Sequence, residues 1–123
     1  MENRDSFLVR QPKSFGHALN GIFYSFKIGF HFKVQVAALI LAIILGYIYK
    51  ISAFEWIILI IISASVIAAE TANTAIEETC NLLHPELHPH ARIAKHCAAG
   101  AVLILSVAAA IIGTIIFLPK IFS

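Results

Sequence analysis

Between Phe15 and Phe30 the apolar positions recur at helical spacing. Phe15, Ala18, Leu19, Ile22, Phe23, Phe26 and Phe30 fall together, while Lys13, His17, Asn20 and Lys27 lie elsewhere. The spacing predicts an amphipathic helix over 13–32. An aromatic-rich apolar face flanked by Lys suits the plane of a membrane interface, and packing against a helical bundle is compatible with that placement. Three apolar runs follow: Val34 to Tyr49, Ala53 to about Thr74, and Cys97 to Leu118. A span needs about 20 residues, so Phe30 and Phe32 are expected to extend the first run. The predicted spans are 33–50, 53–79 and 91–118. The connection Tyr49-Lys50-Ile51-Ser52-Ala53 is short, which makes the first two spans an antiparallel hairpin. Tyr47, Tyr49 and Trp56 gather at that turn as interface anchors. Pro85 and Pro89 end the second span, and the third is expected to restart near His90.

Composition agrees with the pattern. Of 123 residues 59% are hydrophobic and 13% charged, with a mean hydropathy of +0.86. A soluble domain of this size would need more polar surface. The expected class is an all-α membrane protein, one integral-membrane domain over 1–123, with no internal repeat and no low-complexity tract. The opening MENRDSFLVRQPKS is too polar for the apolar region of a cleavable signal peptide. The net charge of +2 is unremarkable, and no nucleic-acid partner is expected. Its placement says more. Arg4, Arg10, Lys13, Lys27 and Lys33 precede the first span, Arg92 and Lys95 precede the third, and only Lys50 and Lys120 lie on the other side. The positive-inside rule then puts the N-terminus and the segment Glu78–His96 in the cytoplasm. A multi-pass membrane protein with a cytoplasmic N-terminus is the expected placement.

The chemistry concentrates at the end of the second span, in Glu70-Thr71-Ala72-Asn73-Thr74-Ala75-Ile76-Glu77. At about 100° per residue, Glu70, Asn73, Glu77 and Asn81 fall within a sector of roughly 80°. An ionised group at the bilayer centre costs roughly 2.5–3.5 kcal/mol on insertion scales, less near the interface. The stripe must therefore face other helices or a water-filled site. A general base beside a divalent metal is one reading, since oxygen ligands hold Mg²⁺ and leave room for phosphates. A polar seam that glues helices together is the plainer alternative. The whole stripe favours chemistry.

The loop from Cys80 to Cys97 adds His84, His88, His90 and His96, residue types that suggest a transition-metal site. Their spacing matches no closed zinc motif, and a disulfide is not expected between two cytoplasmic thiols. Lys95 begins the third span level with the stripe. There it can neutralise a carboxylate, bind lipid headgroups or hold phosphates. Ala98, Ala99, Gly100 and Ala101 are expected to allow close helix packing.

ETANTAIE, HPELHPHARIAK and AAGAVL together resemble the small integral-membrane diacylglycerol kinases of prokaryotes, most closely the undecaprenol kinase-like and Bacteroidota-type branches. The likeness runs from about Ser14 to the end and includes SFGHALNGI and FLPK. It implies a homotrimer of three-span protomers, each with a surface helix, that transfers the γ-phosphate of MgATP to a lipid alcohol, undecaprenol or diacylglycerol, at the cytoplasmic interface. By resemblance, Glu70 is the catalytic base and Asn73 its polar partner. Glu77 is a metal ligand bridging Mg²⁺ to ATP, and Lys95 contacts the phosphates. Phosphoryl transfer needs alignment and charge neutralisation more than covalent chemistry.

The departures share one sign. Gly29 stands where the family carries a second metal-binding Glu, and His31 where it carries Asn. His17 and His96, at two further nucleotide-binding positions, replace Tyr and Asp, and Asn81 replaces the Asp that closes the stripe. Fewer carboxylates weaken Mg²⁺ binding, and an imidazole suits softer metals. The alternative to a working kinase is thus a catalytically impaired member acting as a lipid-binding or assembly subunit. A transporter or channel ranks well behind, because no broken-helix repeat is present.

Overall fold

The computed structural model describes residues 4–84, 86 and 88–123, with side chains from Arg10 onward. It contains four helices: α1 (Arg4–Ile28), α2 (Phe30–Ile48), α3 (Ala53–Leu83) and α4 (Pro89–Ile121). Among the described residues there is no strand. Helices α2, α3 and α4 are each long and apolar enough to cross a membrane.

A single residue separates α1 from α2. Gly29 has extended backbone angles (φ −93°, ψ 110°) and gives up the helical path for one step. Phe30 and Phe32 therefore belong to the first span. The joint is tight: Gly29 N–H donates to Ser25 O at 3.0 Å, and the Phe26 and Phe32 rings meet edge-to-face across it at 5.8 Å. Ser25, 2% exposed, donates its hydroxyl to Gly21 O at 2.8 Å. Helix α1 starts earlier than its apolar periodicity, at Arg4, and runs through Pro12.

The α2–α3 turn is made by chemistry readable in its residues. Lys50 takes a positive φ of 49°, and Ile51 N–H reaches back to Gly46 O at 3.1 Å. Ser52 then caps α3: its hydroxyl accepts from Glu55 N–H at 3.2 Å while its own N–H donates to Glu55 Oε1 at 3.1 Å. This reciprocal box satisfies two donors that a helix start otherwise leaves bare. Gly46 lets α2 approach α3, because a Cβ there would sit 2.5 Å from the Trp56 ring.

Helices α3 and α4 pack along much of their length, and α2 lies more loosely against both. The apolar core is small and sits near the α2–α3 turn, where Ile51, Leu59, Ile116 and Phe117 are buried against Ala42, Leu45, Tyr49, Trp56 and Ile112. Glu55 and Lys120 close that end with an ion pair at 2.9 Å. Elsewhere large apolar side chains point outward, among them Ile61 at 62% and Ile104 at 71% exposure. That inverts the soluble pattern and fits contact with lipid or with other copies. Hydroxyls inside the spans bond their own helix: Ser65, Thr71, Thr79 and Thr114 each donate to the carbonyl four residues back. Hydrocarbon offers no other partner.

Candidate active site

Beyond Val66 the face of α3 changes from apolar to polar without leaving the bundle. Glu70 is only 5% exposed, and its Oε1 is buried with no hydrogen-bond partner among the described residues. Thr74 donates its hydroxyl to the Glu70 carbonyl at 3.2 Å rather than to the carboxylate. Asn73 Nδ2 donates to Glu77 Oε1 at 3.4 Å, leaving Asn73 Oδ1 buried and unmatched as well. Unmatched buried acceptors cost about 1–3 kcal/mol each. Two of them side by side on one helix face make this a candidate site for a ligand, an ion or water.

Around this centre the rim of the bundle is tied together by long-range contacts. Lys95 Nζ on α4 donates to Asn81 Oδ1 on α3 at 2.7 Å. The Tyr24 hydroxyl on α1 donates to Glu78 Oε1 on α3 at 2.9 Å. That hydrogen bond, with smaller help from burial and from the carboxylate charge, raises the Tyr24 phenol above its ordinary pKa. Glu78 is thus committed to α1 while Glu77 faces Asn73.

Glu70, Asn73 and Glu77 stand together on one face of α3, and Lys95 reaches the last member of their stripe, Asn81. His17 on α1 and His96 on α4 are exposed, and neither is hydrogen-bonded to the stripe among the described residues. The His-rich loop forms no metal centre there either, for no group of three His, Cys, Asp or Glu side chains converges to hold an ion. The His84 and His88 rings stack at 4.4 Å instead, and His88 Nδ1 accepts from His90 N–H at 3.2 Å to cap α4. Cys80 and Cys97 are free thiols.

Gly29 is more than a missing carboxylate. A Cβ at this position would lie 2.8 Å from Ser25 O and 3.1 Å from Phe32 Cβ. The joint is built for glycine, and an acidic side chain would have to move backbone to enter. The remaining donors, the Glu70 and Glu77 carboxylates and Asn73 Oδ1, are hard oxygens. Mg²⁺ binds through one or two carboxylates and takes its other ligands from water and substrate phosphates, so this set fits it.

Sequence reading missed the contact of Tyr24 with Glu78 and the intramembrane pair in which Gln35 Nε2 on α2 donates to Ser106 Oγ on α4. The last carried a legible signal, since a Gln between two Val residues inside a span is a default candidate for helix pairing or function.

Fold and site together define a small polytopic membrane protein with an acid–amide centre at the end of a span. Residues 16–117 match the model of the prokaryotic diacylglycerol kinase family. The chain is 39% identical over 122 residues to undecaprenol kinase of Bacillus subtilis (strain 168), covering 98% of this chain and 99% of that one. It is 33% identical over 111 residues to diacylglycerol kinase of Synechocystis sp. (strain ATCC 27184 / PCC 6803 / Kazusa), covering 89% of this chain and 63% of that one. The chain belongs to the prokaryotic diacylglycerol kinase family, and its activity is that of an ATP-using lipid kinase.

Proposed function

We propose that this chain transfers the γ-phosphate of ATP to the hydroxyl of a membrane polyprenol, undecaprenol before diacylglycerol, at the cytoplasmic face of the inner membrane. The observation that carries the reading is the buried, unpartnered Glu70 carboxylate oxygen at the end of a span. Near-complete coverage of the undecaprenol kinase, against 63% of the diacylglycerol kinase, supports the order of substrates.

Glu70 acts as general base. The lipid oxygen forms its bond to the γ-phosphorus as the bond from phosphorus to ADP breaks, and the hydroxyl proton passes to the Glu70 carboxylate. Asn73, tied to Glu77, orients the two. Glu77 would hold Mg²⁺, which when bound neutralises phosphate charge. Lys95 supplies a positive charge to the phosphates from its place on the α4 rim, exchanging Asn81 for them. His17 and His96 flank the nucleotide, with His96 where the family has a carboxylate. The N-terminus and the segment Glu78–His96 lie in the cytoplasm, where ATP is available. Three copies assemble as a homotrimer, which would cover part of the outward apolar surface and shield the stripe.

The test is transfer of labelled γ-phosphate by the purified full-length chain in mixed micelles, with undecaprenol and diacylglycerol offered separately. Labelled polyprenyl phosphate is expected, with weaker or no label in diacylglycerol. Label in neither lipid from folded protein overturns the reading.

A further inference from the structure

Helix α1 is joined to the bundle through one non-helical residue. Gly29 breaks the helical path between Ile28 and Phe30, so the direction of α1 is set by that joint and by what α1 touches. It packs on α2 and α3. At about 1.5 Å per residue, His17 lies roughly 18 Å along the helix from Gly29. A swing of about 10° at the joint would displace it by roughly 3 Å, a whole hydrogen-bond length. A helix hung in this way needs a second point of attachment before its side chains can serve a site.

Tyr24 supplies one. It stands between the joint and His17, and its hydroxyl donates to Glu78 Oε1 on α3 at 2.9 Å. The acceptor is a carboxylate, and charge-assisted bonds are stronger than neutral ones. Glu78 in turn raises the Tyr24 pKa, which keeps the phenol in its protonated, donating form. At about 100° per residue Tyr24 shares a face, within about 40°, with Lys13, His17 and Asn20. Phe15, Phe23 and Phe30 lie about 100–180° away and are exposed. A bond made off the helix axis resists roll as well as tilt, so it orients this polar face.

The turn of α3 that receives the bond is also the one next to the stripe. Glu78 adjoins Glu77, whose Oε1 accepts from Asn73 Nδ2 at 3.4 Å. Asn81, in the same turn, accepts from Lys95 Nζ of α4 at 2.7 Å. Residues 77–81 thus take one tie from α1 and another from α4.

We infer that Tyr24 is a positioning residue for the phosphoryl donor: its bond to Glu78 fixes the tilt and roll of α1, and so holds His17 in register with the turn of α3 that carries Glu77. The inference rests on the lipid kinase reading and adds to it a residue that acts through another helix. Tyr24 itself touches neither the nucleotide nor the lipid.

Tyr24→Phe keeps the ring and deletes the donor. For the full-length chain in mixed micelles it is expected to raise KM for MgATP about three- to tenfold, with kcat at saturating nucleotide and KM for the lipid alcohol unchanged. Glu78→Gln keeps a weaker, neutral acceptor and is expected to raise KM for MgATP less. Adding it to Tyr24→Phe should change nothing further, because the bond is already gone. KM for MgATP unchanged in Tyr24→Phe overturns the inference. So does a rise shared equally by the lipid alcohol, since a general loosening of the fold would not single out the nucleotide. Two measurements need no turnover. Spin labels on Gln11→Cys and Leu82→Cys, in a chain with Cys80→Ser and Cys97→Ser, report α1 against α3. Their distance distribution should broaden when Tyr24→Phe is added, and equal widths overturn the inference even where phosphate is transferred. Binding of a non-hydrolysable ATP analogue with Mg²⁺, followed by calorimetry, separates this inference from the kinase reading. If the wild type phosphorylates no alcohol yet Tyr24→Phe weakens that binding, the kinase reading fails and the role of Tyr24 stands.

Discussion

Where α2 turns into α3, the polar groups answer one another. Ser52 and Glu55 exchange hydrogen bonds across the helix start, Glu55 meets Lys120, and Lys120 also donates to Ile116 O at 3.2 Å. Gly46, Trp56, Leu59 and Phe117 fill the space beneath. Where α1 meets the other end of the bundle, Glu70 Oε1 and Asn73 Oδ1 are buried with nothing to bond among the described residues. One end is arranged for stability and the other carries unmet polar capacity that a substrate and a cation would fill. Such divisions are expected where function requires a group that the fold alone would not retain.

Substitutions should separate the two ends by what they damage. Lys95→Met removes a charged donor from the polar end. Charged hydrogen bonds contribute roughly 1.5–3 kcal/mol, so kcat/KM for ATP should fall about ten- to a hundredfold in steady-state assays while the melting temperature in micelles holds. Gly46→Ala acts at the closed end. Its Cβ would meet Trp56 ring atoms at 2.5 and 2.7 Å. Overpacking of about 1–3 kcal/mol outweighs a gain of about 1 kcal/mol in helix propensity. Thermal unfolding should shift downward, with kcat of the surviving protein little altered. Ser52→Ala breaks the capping box for about 1 kcal/mol, read in the same melt. Lys120→Ala is the smallest, about 1 kcal/mol or less, because the pair is partly solvent-exposed. Loss of phosphate transfer without loss of stability in either of the last two would erase the division.

The spans were legible because apolar runs of their length have few other fates. The stripe was legible because helical periodicity places Glu70, Asn73 and Glu77 on one face without tertiary knowledge. Cross-helix partnerships were not. Tyr24 with Glu78, and Gln35 with Ser106, join residues far apart in sequence, and their pairing depends on helix rotation and depth that no local pattern encodes. The joint at Gly29 lay inside a continuous apolar–polar pattern from Phe15 onward, so periodicity alone carried the amphipathic helix to Phe32. The early start of α1 went unread because the apolar periodicity begins only near Phe15, and Pro12 lies between it and Arg4. In the described structure the helix passes through that proline.

Glu70 distinguishes a centre for chemistry from a seam that glues helices. Its conservative replacement, Glu70→Gln, keeps size and polarity and removes the base, so one variant read two ways decides between them. The measurement is phosphate transfer to undecaprenol together with thermal unfolding, on wild type and Glu70→Gln in the same micelles. The predicted result is a fall in kcat of roughly 10²–10⁴-fold, the range of a general base, with stability equal to or above wild type. Transfer retained at the wild-type rate, with a lowered melting temperature, would contradict the account and return the stripe to a structural seam.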